Sequence, residues 1–254
     1  YGPTALVTGA SSGIGKELTE KLASAGFDLI IVARDEKKLK EVRDTVQVKY
    51  NVQVEVIPMD LSVEGNTDLL IQQIQHKNVG LLVLAAGYGT SGVLKNSSLH
   101  TEINMLRLNC ESVIVLSHYY AQRFSQQKRG AMIFLSSMVA FQGVPYAAHY
   151  AATKAYIQSL AEGLYEELKP FNVAVLAAAP GPVLSGFGSR ANMKMGKALS
   201  PEQVGVPILN ALGRNGTVFP GWLTKLLVYS LRTLPRWGKV KVMKQVMSGM
   251  AVAK

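Results

Sequence analysis

The chain has 254 residues, 48% of them hydrophobic, which is enough to bury one large α/β core, and its single cysteine, Cys110, excludes an internal disulfide. The net charge of +10 is concentrated at the carboxyl end: from Leu168 onward twelve Lys/Arg face one acid, Glu202, whereas fifteen bases and sixteen acids precede it. No apolar run approaches the ~18–20 residues that cross a bilayer, no paired Cys/His spacing suggests a metal site, and no aromatic-interleaved basic motif suggests nucleic acid.

Thr4–Thr8 reads as a short apolar strand, followed by a Gly/Ser turn and a helix through Leu18, Leu22 and Ala25 that Gly26 stops. The pattern repeats as strand Asp28–Ala33 with helix Glu36–Tyr50, strand 53–59 with helix 63–77, and strand 80–86. A long helix over 101–127, a strand over 131–136, a second long helix over 149–169 and a strand at Val173–Ala178 follow. Strands that are apolar at every position, and not at every second one, belong to a sheet covered on both faces. The expected fold is therefore α/β: one doubly wound Rossmann-type domain over 1–254, its mostly parallel sheet of about seven strands flanked by helices on both faces. Residues 1–183 would bind cofactor and carry the chemistry, and 184–254 would supply a pocket lid and basic C-terminal helices.

Between the first strand and first helix lies Thr8-Gly9-Ala10-Ser11-Ser12-Gly13-Ile14-Gly15. Its three glycines let the backbone turn sharply and approach a pyrophosphate at a helix N-terminus. The spacing is GxxxGxG, not GxGxxG. At the end of the second strand, where an acid would bond the ribose hydroxyls of NAD(H), Ala33 and Arg34 stand instead. A guanidinium suits a 2′-phosphate, so NADP(H) is preferred, while the adjacent Asp35 leaves NAD(H) open.

Tyr150 and Lys154 are four residues apart at the start of the second long helix, hence on one face. A free phenol has a pKa of about 10, and an adjacent ammonium would stabilise its anion. Ser137 lies thirteen residues before Tyr150, just past the fifth strand, at the sheet edge where doubly wound folds bind ligands.

Through TGASSGIG, Asp60, AAG, Asn109, Ser137, YAATK and PGPV, in that order from about Thr4 to Phe187, the chain resembles the short-chain dehydrogenase/reductase family. The resemblance implies that Tyr150 is the general acid or base, that Lys154 lowers its pKa and bonds the nicotinamide ribose, that Ser137 orients the substrate oxygen, and that Asn109 supports a proton relay. It further implies cofactor contacts from Gly9, Ser11, Ser12, Gly13, Ile14 and Gly15 in the turn, from Asp60 and Leu61 at the adenine, and from Ala86 and Gly87. Pro180, Gly181 and Val183 would pack on the nicotinamide, with Ser185 bonding its carboxamide. One departure stands out, Leu84-Ala85-Ala86-Gly87 where the family usually has NNAG.

Past Val183, residues Phe187, Met193, Met195 and Leu199 form an apolar segment suited to a lid, and Met138, Phe141, Val144, Pro145 and Tyr146 would line the same cleft. Leu223, Leu226, Leu227, Ser230 and Leu231 recur at helical spacing among Lys225, Arg232, Arg236, Lys239, Lys241 and Lys244. This basic amphipathic region has two readings, packing across a subunit interface, which is preferred, or peripheral contact with an anionic membrane. The long helices resemble those that pair subunits in the family, so a homodimer or homotetramer is expected. The expected substrate is a carbonyl or secondary alcohol on an apolar, lipid- or steroid-like molecule. A 3-oxoacyl thioester reductase and a catalytically silent NADP-binding protein are the alternatives. A cytoplasmic location fits the lone cysteine, although the chain opens on Tyr1 and leaves room for a removed leading segment.

Overall fold

A computed structural model describes residues 1–191, 193, 196 and 198–250. Met195 of the expected lid lies outside the described residues. The first half alternates strand and helix: β1 (Thr4–Thr8), α1 (Gly13–Ser24), β2 (Asp28–Ala33), α2 (Glu36–Tyr50), β3 (Val54–Pro58), α3 (Asn66–Ile74) and β4 (Val79–Leu84). Then come α4 (Leu99–Leu106), a widened π turn (Arg107–Glu111), α5 (Ser112–Gln127), β5 (Gly130–Leu135), α6 (Ala148–Leu168) and β6 (Val173–Ala178). The carboxyl part adds α7 (Phe187–Arg190), α8 (Pro201–Ala211), β7 (Thr217–Val218), α9 (Trp222–Arg232) and α10 (Arg236–Met250).

The strands form one seven-stranded sheet in the order β3-β2-β1-β4-β5-β6-β7, and every neighbouring pair is parallel. The strand order reverses between β1 and β4, which opens a crevice at the carboxyl ends of the strands. Both sheet faces are buried. Leu6, Ile30, Val32, Leu82, Met132 and Phe134 pack with Leu70, Ile74, Leu116, Tyr120, Phe124 and Ile157. The intervening residues Val7, Leu29, Ile31, Leu81 and Val83 pack on the other side with Leu18, Leu22, Leu39, Val42, Val204 and Ile208. This double coverage is the physical reason the strands are apolar at successive positions. Phe124 is fully buried with its ring 5.1 Å from that of Tyr120, so truncating it would cost about 3–5 kcal/mol.

The sheet is wholly parallel rather than mostly so. The expected helix over 101–127 begins earlier and contains the π turn, and the expected helix over 63–77 contracts to α3 because Gly65, at φ 81°, caps its start. Helix α8 is an addition. It opens on a capping box, in which Ser200 accepts from the Gln203 backbone and Gln203 accepts from the Ser200 backbone, with Pro201 in the first turn. No helix among the described residues is long and apolar enough to cross a membrane.

Candidate active site

The turn after β1 is built to be close to other backbone. Gly9 has φ 70°, and a Cβ there would lie 2.7 Å from the Ala86 nitrogen. A side chain at this position is therefore excluded twice, by conformation and by space. Gly13 has φ 56° and would set a Cβ 2.6 Å from the Ser185 Cβ, so this turn and the segment after β6 touch. Thr8, buried at the end of β1, accepts from the backbone nitrogens of Ala85 and Ala86 at 3.1 and 3.2 Å. That hydroxyl ties the two central loops together where the family's asparagine side chain is missing. The first turn of α1 holds no acid and the Ser12 side chain makes no cap bond, so this helix end suits an anionic diphosphate.

At the end of β2, the Arg34 Nη1 lies 3.6 Å from the Asp60 Oδ2. Asp60 also accepts from the Ser62 backbone and hydroxyl, at 2.9 and 2.7 Å. Burial pushes the Asp60 carboxyl up, but the Ser62 bonds and the Arg34 charge outweigh it and hold it below the usual range. Asp60 does not cap α3, whose N-cap is Gly65. Asp35 instead caps α2, accepting from the Lys38 nitrogen at 3.1 Å while the Lys38 Nζ pairs with it at 3.1 Å. These bonds hold the Asp35 carboxyl low. Lys38 lines the same cavity and escaped sequence reasoning, although its place one turn into the helix after Arg34 was a usable signal.

Tyr150 and Lys154 occupy successive turns at the start of α6, both buried. Burial pushes the Tyr150 phenol up to about 12, and a hydrogen bond with Ser137 pulls against that rise. Burial lowers Lys154 to about 8. The Lys154 Nζ donates to the Leu135 carbonyl at 2.7 Å and stands 5.9 Å from the Tyr150 ring centre. Burial is the larger influence on the phenol, and Lys154 stands one turn further along the same helix face. Asn109 is fully buried in the π turn. Its amide donates to the Tyr88 carbonyl at 2.9 Å and to the Thr153 hydroxyl at 3.0 Å, and Thr153 donates to the Tyr150 carbonyl at 2.8 Å. It braces the helix turn that carries Tyr150.

A cavity of about 660 Å³ runs from Arg34 past Tyr150 to Met250. Ser137, Tyr150, Lys154 and each expected cofactor contact line it; Asn109 is the one expected site residue behind the wall. Beyond Tyr150 the lining is apolar. Phe187 packs on Tyr150 with ring centres 5.3 Å apart, Leu223, Leu227 and Leu231 of α9 and Met243, Val246 and Met247 of α10 also line the chamber, and Leu231, Met243 and Met247 belong to one buried cluster. The α10 residues were not foreseen, although the three- and four-residue spacing of Met243, Met247 and Met250 is a helical stripe. Phe141, Val144, Pro145 and Tyr146 are not on this wall, nor is Leu199 of the expected lid: Phe141 stacks on Phe219, Val144 is buried beside Met105, and Leu199 packs against the core beneath the sheet. Cys110 is buried, its thiol pushed up to about 11, and is inert packing.

A sequence profile described as short chain dehydrogenase matches residues 3–196. A 7beta-hydroxysteroid dehydrogenase of Clostridium sardiniense is 28% identical over 229 residues, 89% of this chain and 88% of the relative. A very-long-chain 3-oxoacyl-CoA reductase-like protein of Arabidopsis thaliana is 33% identical over 185 residues, 71% of this chain and 59% of its own. Among solved structures, one of a 7beta-hydroxysteroid dehydrogenase superposes with a TM-score of 0.89 at 25% identity, covering 96% of this chain and 97% of that one. A short-chain dehydrogenase from Sphingobium yanoikuyae in complex with NADPH gives 0.85 at 27% identity, covering 99% and 98%.

Proposed function

This chain belongs to the short-chain dehydrogenase family and is an oxidoreductase, and from that premise we propose that it interconverts a carbonyl and a secondary alcohol on an apolar substrate, with NADP(H) as the preferred coenzyme. The carrying observation is that Ser137, Tyr150 and Lys154 line a single cavity whose wall also holds the glycine turn after β1 and the apolar residues of α9 and α10.

The residues present fit a nicotinamide dinucleotide. Gly9 and Gly13 let the turn close against Ala85, Ala86 and Ser185 at the cavity wall, the acid-free start of α1 receives a diphosphate, and Arg34 and Lys38 offer two cations to a 2′-phosphate. Asp60 and Leu61, Ala86 and Gly87, and Pro180, Gly181, Val183 and Ser185 complete its walls. When bound there, the dinucleotide supplies or accepts the hydride at its nicotinamide.

The remaining chemistry falls to the protein. Ser137 holds the substrate oxygen by its hydroxyl, and in the reductive direction the Tyr150 O–H gives that oxygen its proton. The developing phenolate is met by the Lys154 charge, which the Leu135 carbonyl keeps in place. Asn109, through Thr153, holds the turn that sets the Tyr150 position. Residues 1–183 supply this machinery, and beyond them Phe187, Met193 and the inner sides of α9 and α10 close the apolar chamber that excludes water and selects the substrate.

The walls of Phe187, Leu227, Met243 and Met247 favour a bulky, rigid, steroid-like ketone or alcohol, in keeping with the hydroxysteroid dehydrogenase relative. A 3-oxoacyl thioester is the second reading, favoured by the 33% identity to the 3-oxoacyl-CoA reductase-like protein. Exposed Leu99, Ile103, Leu106 and Ile114 on α4 and α5 support assembly with a second copy of the chain. The test is NADPH oxidation with bulky apolar ketones, small ketones and 3-oxoacyl thioesters. Bulky ketones are expected to react, and Tyr150→Phe to abolish turnover while NADPH still binds; turnover that survives the substitution overturns the mechanism.

A further inference from the structure

Helices α9 and α10 each bury one side and turn the other outward. In α9, Thr224, Val228 and Leu231 are buried, whereas Trp222, Leu226 and Tyr229 are 75%, 53% and 53% exposed. Spacings of four and three place those three on one stripe opposite the buried one. In α10, Trp237 is 66% exposed, with Lys241 and Lys244 four and seven residues on, along the same side. The Arg232 guanidinium lies 5.0 Å from the Tyr229 ring centre, and the Lys241 ammonium 5.1 Å from that of Trp237. Lys225 and Arg236 are exposed on the same pair of helices, and no Asp or Glu follows Glu202 in the chain.

Large aromatic side chains left in water mark a contact surface. The charge decides what contacts it. A two-fold contact of this face with itself would set a cationic surface against a cationic surface, because an isologous interface pairs a patch with its own copy. An anionic lipid surface meets both needs at once. Tryptophan and tyrosine rings favour the headgroup level, and lysine and arginine extend from buried stems to lipid phosphates and carboxylates.

We propose that the outward face of α9 and α10 docks on an anionic lipid bilayer, with Trp222, Leu226, Tyr229 and Trp237 entering the interface and Lys225, Arg232, Lys241 and Lys244 meeting the headgroups. The inner sides of the same helices, through Leu223, Leu227, Val242 and Val246, wall the apolar chamber. Docking therefore sets the substrate end of the cavity beside the bilayer, where an apolar substrate is dissolved. The docking itself does not depend on the carbonyl chemistry.

Trp222 and Trp237 are the two tryptophans of the chain, so intrinsic emission reports on this face alone. Emission of the 254-residue chain would be recorded with vesicles of phosphatidylcholine mixed with phosphatidylserine, and with phosphatidylcholine alone. The expected result is a blue shift and quenching by brominated acyl chains with the mixed vesicles, much weaker with the neutral ones. Binding should fall at least several-fold as added salt shortens the Debye length from ~10 Å at 0.1 M to ~3 Å at 1 M. A Lys225→Glu, Arg232→Glu, Lys241→Glu triple variant, shown by circular dichroism and melting temperature to fold as the parent does, should lose the shift. No shift with mixed vesicles at low salt overturns the proposal, as does undiminished binding of the triple variant. A shift that appears with rising protein concentration and no lipid also overturns it, and assigns the face to a second copy.

Discussion

Arg34 and Asp60 face each other across one end of the cavity, Nη1 and Oδ2 3.6 Å apart, with 63% and 32% of their side-chain surface exposed. A pair this open to water is worth about 0–1 kcal/mol, so a phosphate can compete for the guanidinium. Asp35 is occupied in capping α2 and pairing Lys38. Arg34→Asp is therefore expected to lower the ratio of kcat/KM for NADPH over NADH by ~10–100-fold, the equivalent of one charge-assisted hydrogen bond of about 1.5–3 kcal/mol. Steady-state kinetics with both coenzymes check this, and an unchanged ratio removes Arg34 from the coenzyme site.

In the proposed mechanism Ser137 acts on Tyr150 as well as on substrate. Burial raises the phenol to about 12 and the serine bond opposes that rise, so Ser137→Ala should raise it further. In the oxidative direction, where the phenolate is the base, the ascending limb of the pH–rate profile should move to higher pH. The loss of one positioned hydroxyl should also cut kcat by ~10²–10³-fold. A fall in kcat with an unmoved limb would separate the substrate role from the effect on the phenol.

Lys154 gives a stability prediction whose sign follows from its depressed pKa of about 8. Between pH 8 and the ordinary lysine value of about 10.4, the unfolded chain holds this proton and the folded chain has released it. Stability contributed by this site therefore rises with pH through that window. Below pH 8 both states are protonated and the full cost of the buried charge, about 3 kcal/mol, is present. Tyr150, raised by burial, works in the opposite direction, but above pH 10. Urea unfolding of the protein and of Lys154→Met between pH 7 and 10 should show the variant more stable near pH 7 by an amount that narrows as pH rises. A constant difference would mean that Lys154 is not a buried charge.

Much of the fold was readable because β1, β2, β4, β5 and β6 are apolar at successive positions, a pattern that only a doubly covered parallel sheet requires. Thr217–Val218 carries no periodicity, so β7 could not be located from its own residues. Helix α8 was masked by Gly205 and Pro207, although Ser200, Pro201 and Gln203 marked its start. The ordered glycines, Ser137, Tyr150 and Lys154 were visible because their chemistry demands particular residue types. The place of Asn109 was not, since its depth behind Gly87 and Lys154 comes from the π turn and its ties to Tyr88 and Thr153. In α9 the period was evident but the inward side was not: leucines lie on both sides, Leu223 and Leu227 toward the cavity and Leu226 away from it.

That arrangement of α9 yields the last prediction. Leu227 lines the apolar chamber and is 40% exposed, so a larger side chain can be accommodated there without overpacking a closed core. Leu227→Trp should fill chamber volume that a bulky polycyclic ketone needs and a small ketone does not. Pocket contacts of one or a few carbons are worth about 1–3 kcal/mol, so kcat/KM for the bulky substrate should fall ~10-fold or more. The value for the small ketone should stay within about a factor of two, since the hydroxyls of Ser137 and Tyr150 are untouched, and coenzyme affinity should not change. Equal losses on both ketones would place the reacting substrate elsewhere than between α9 and α10. Measuring both substrates on the same preparation removes differences in folded fraction, because those cancel in the ratio.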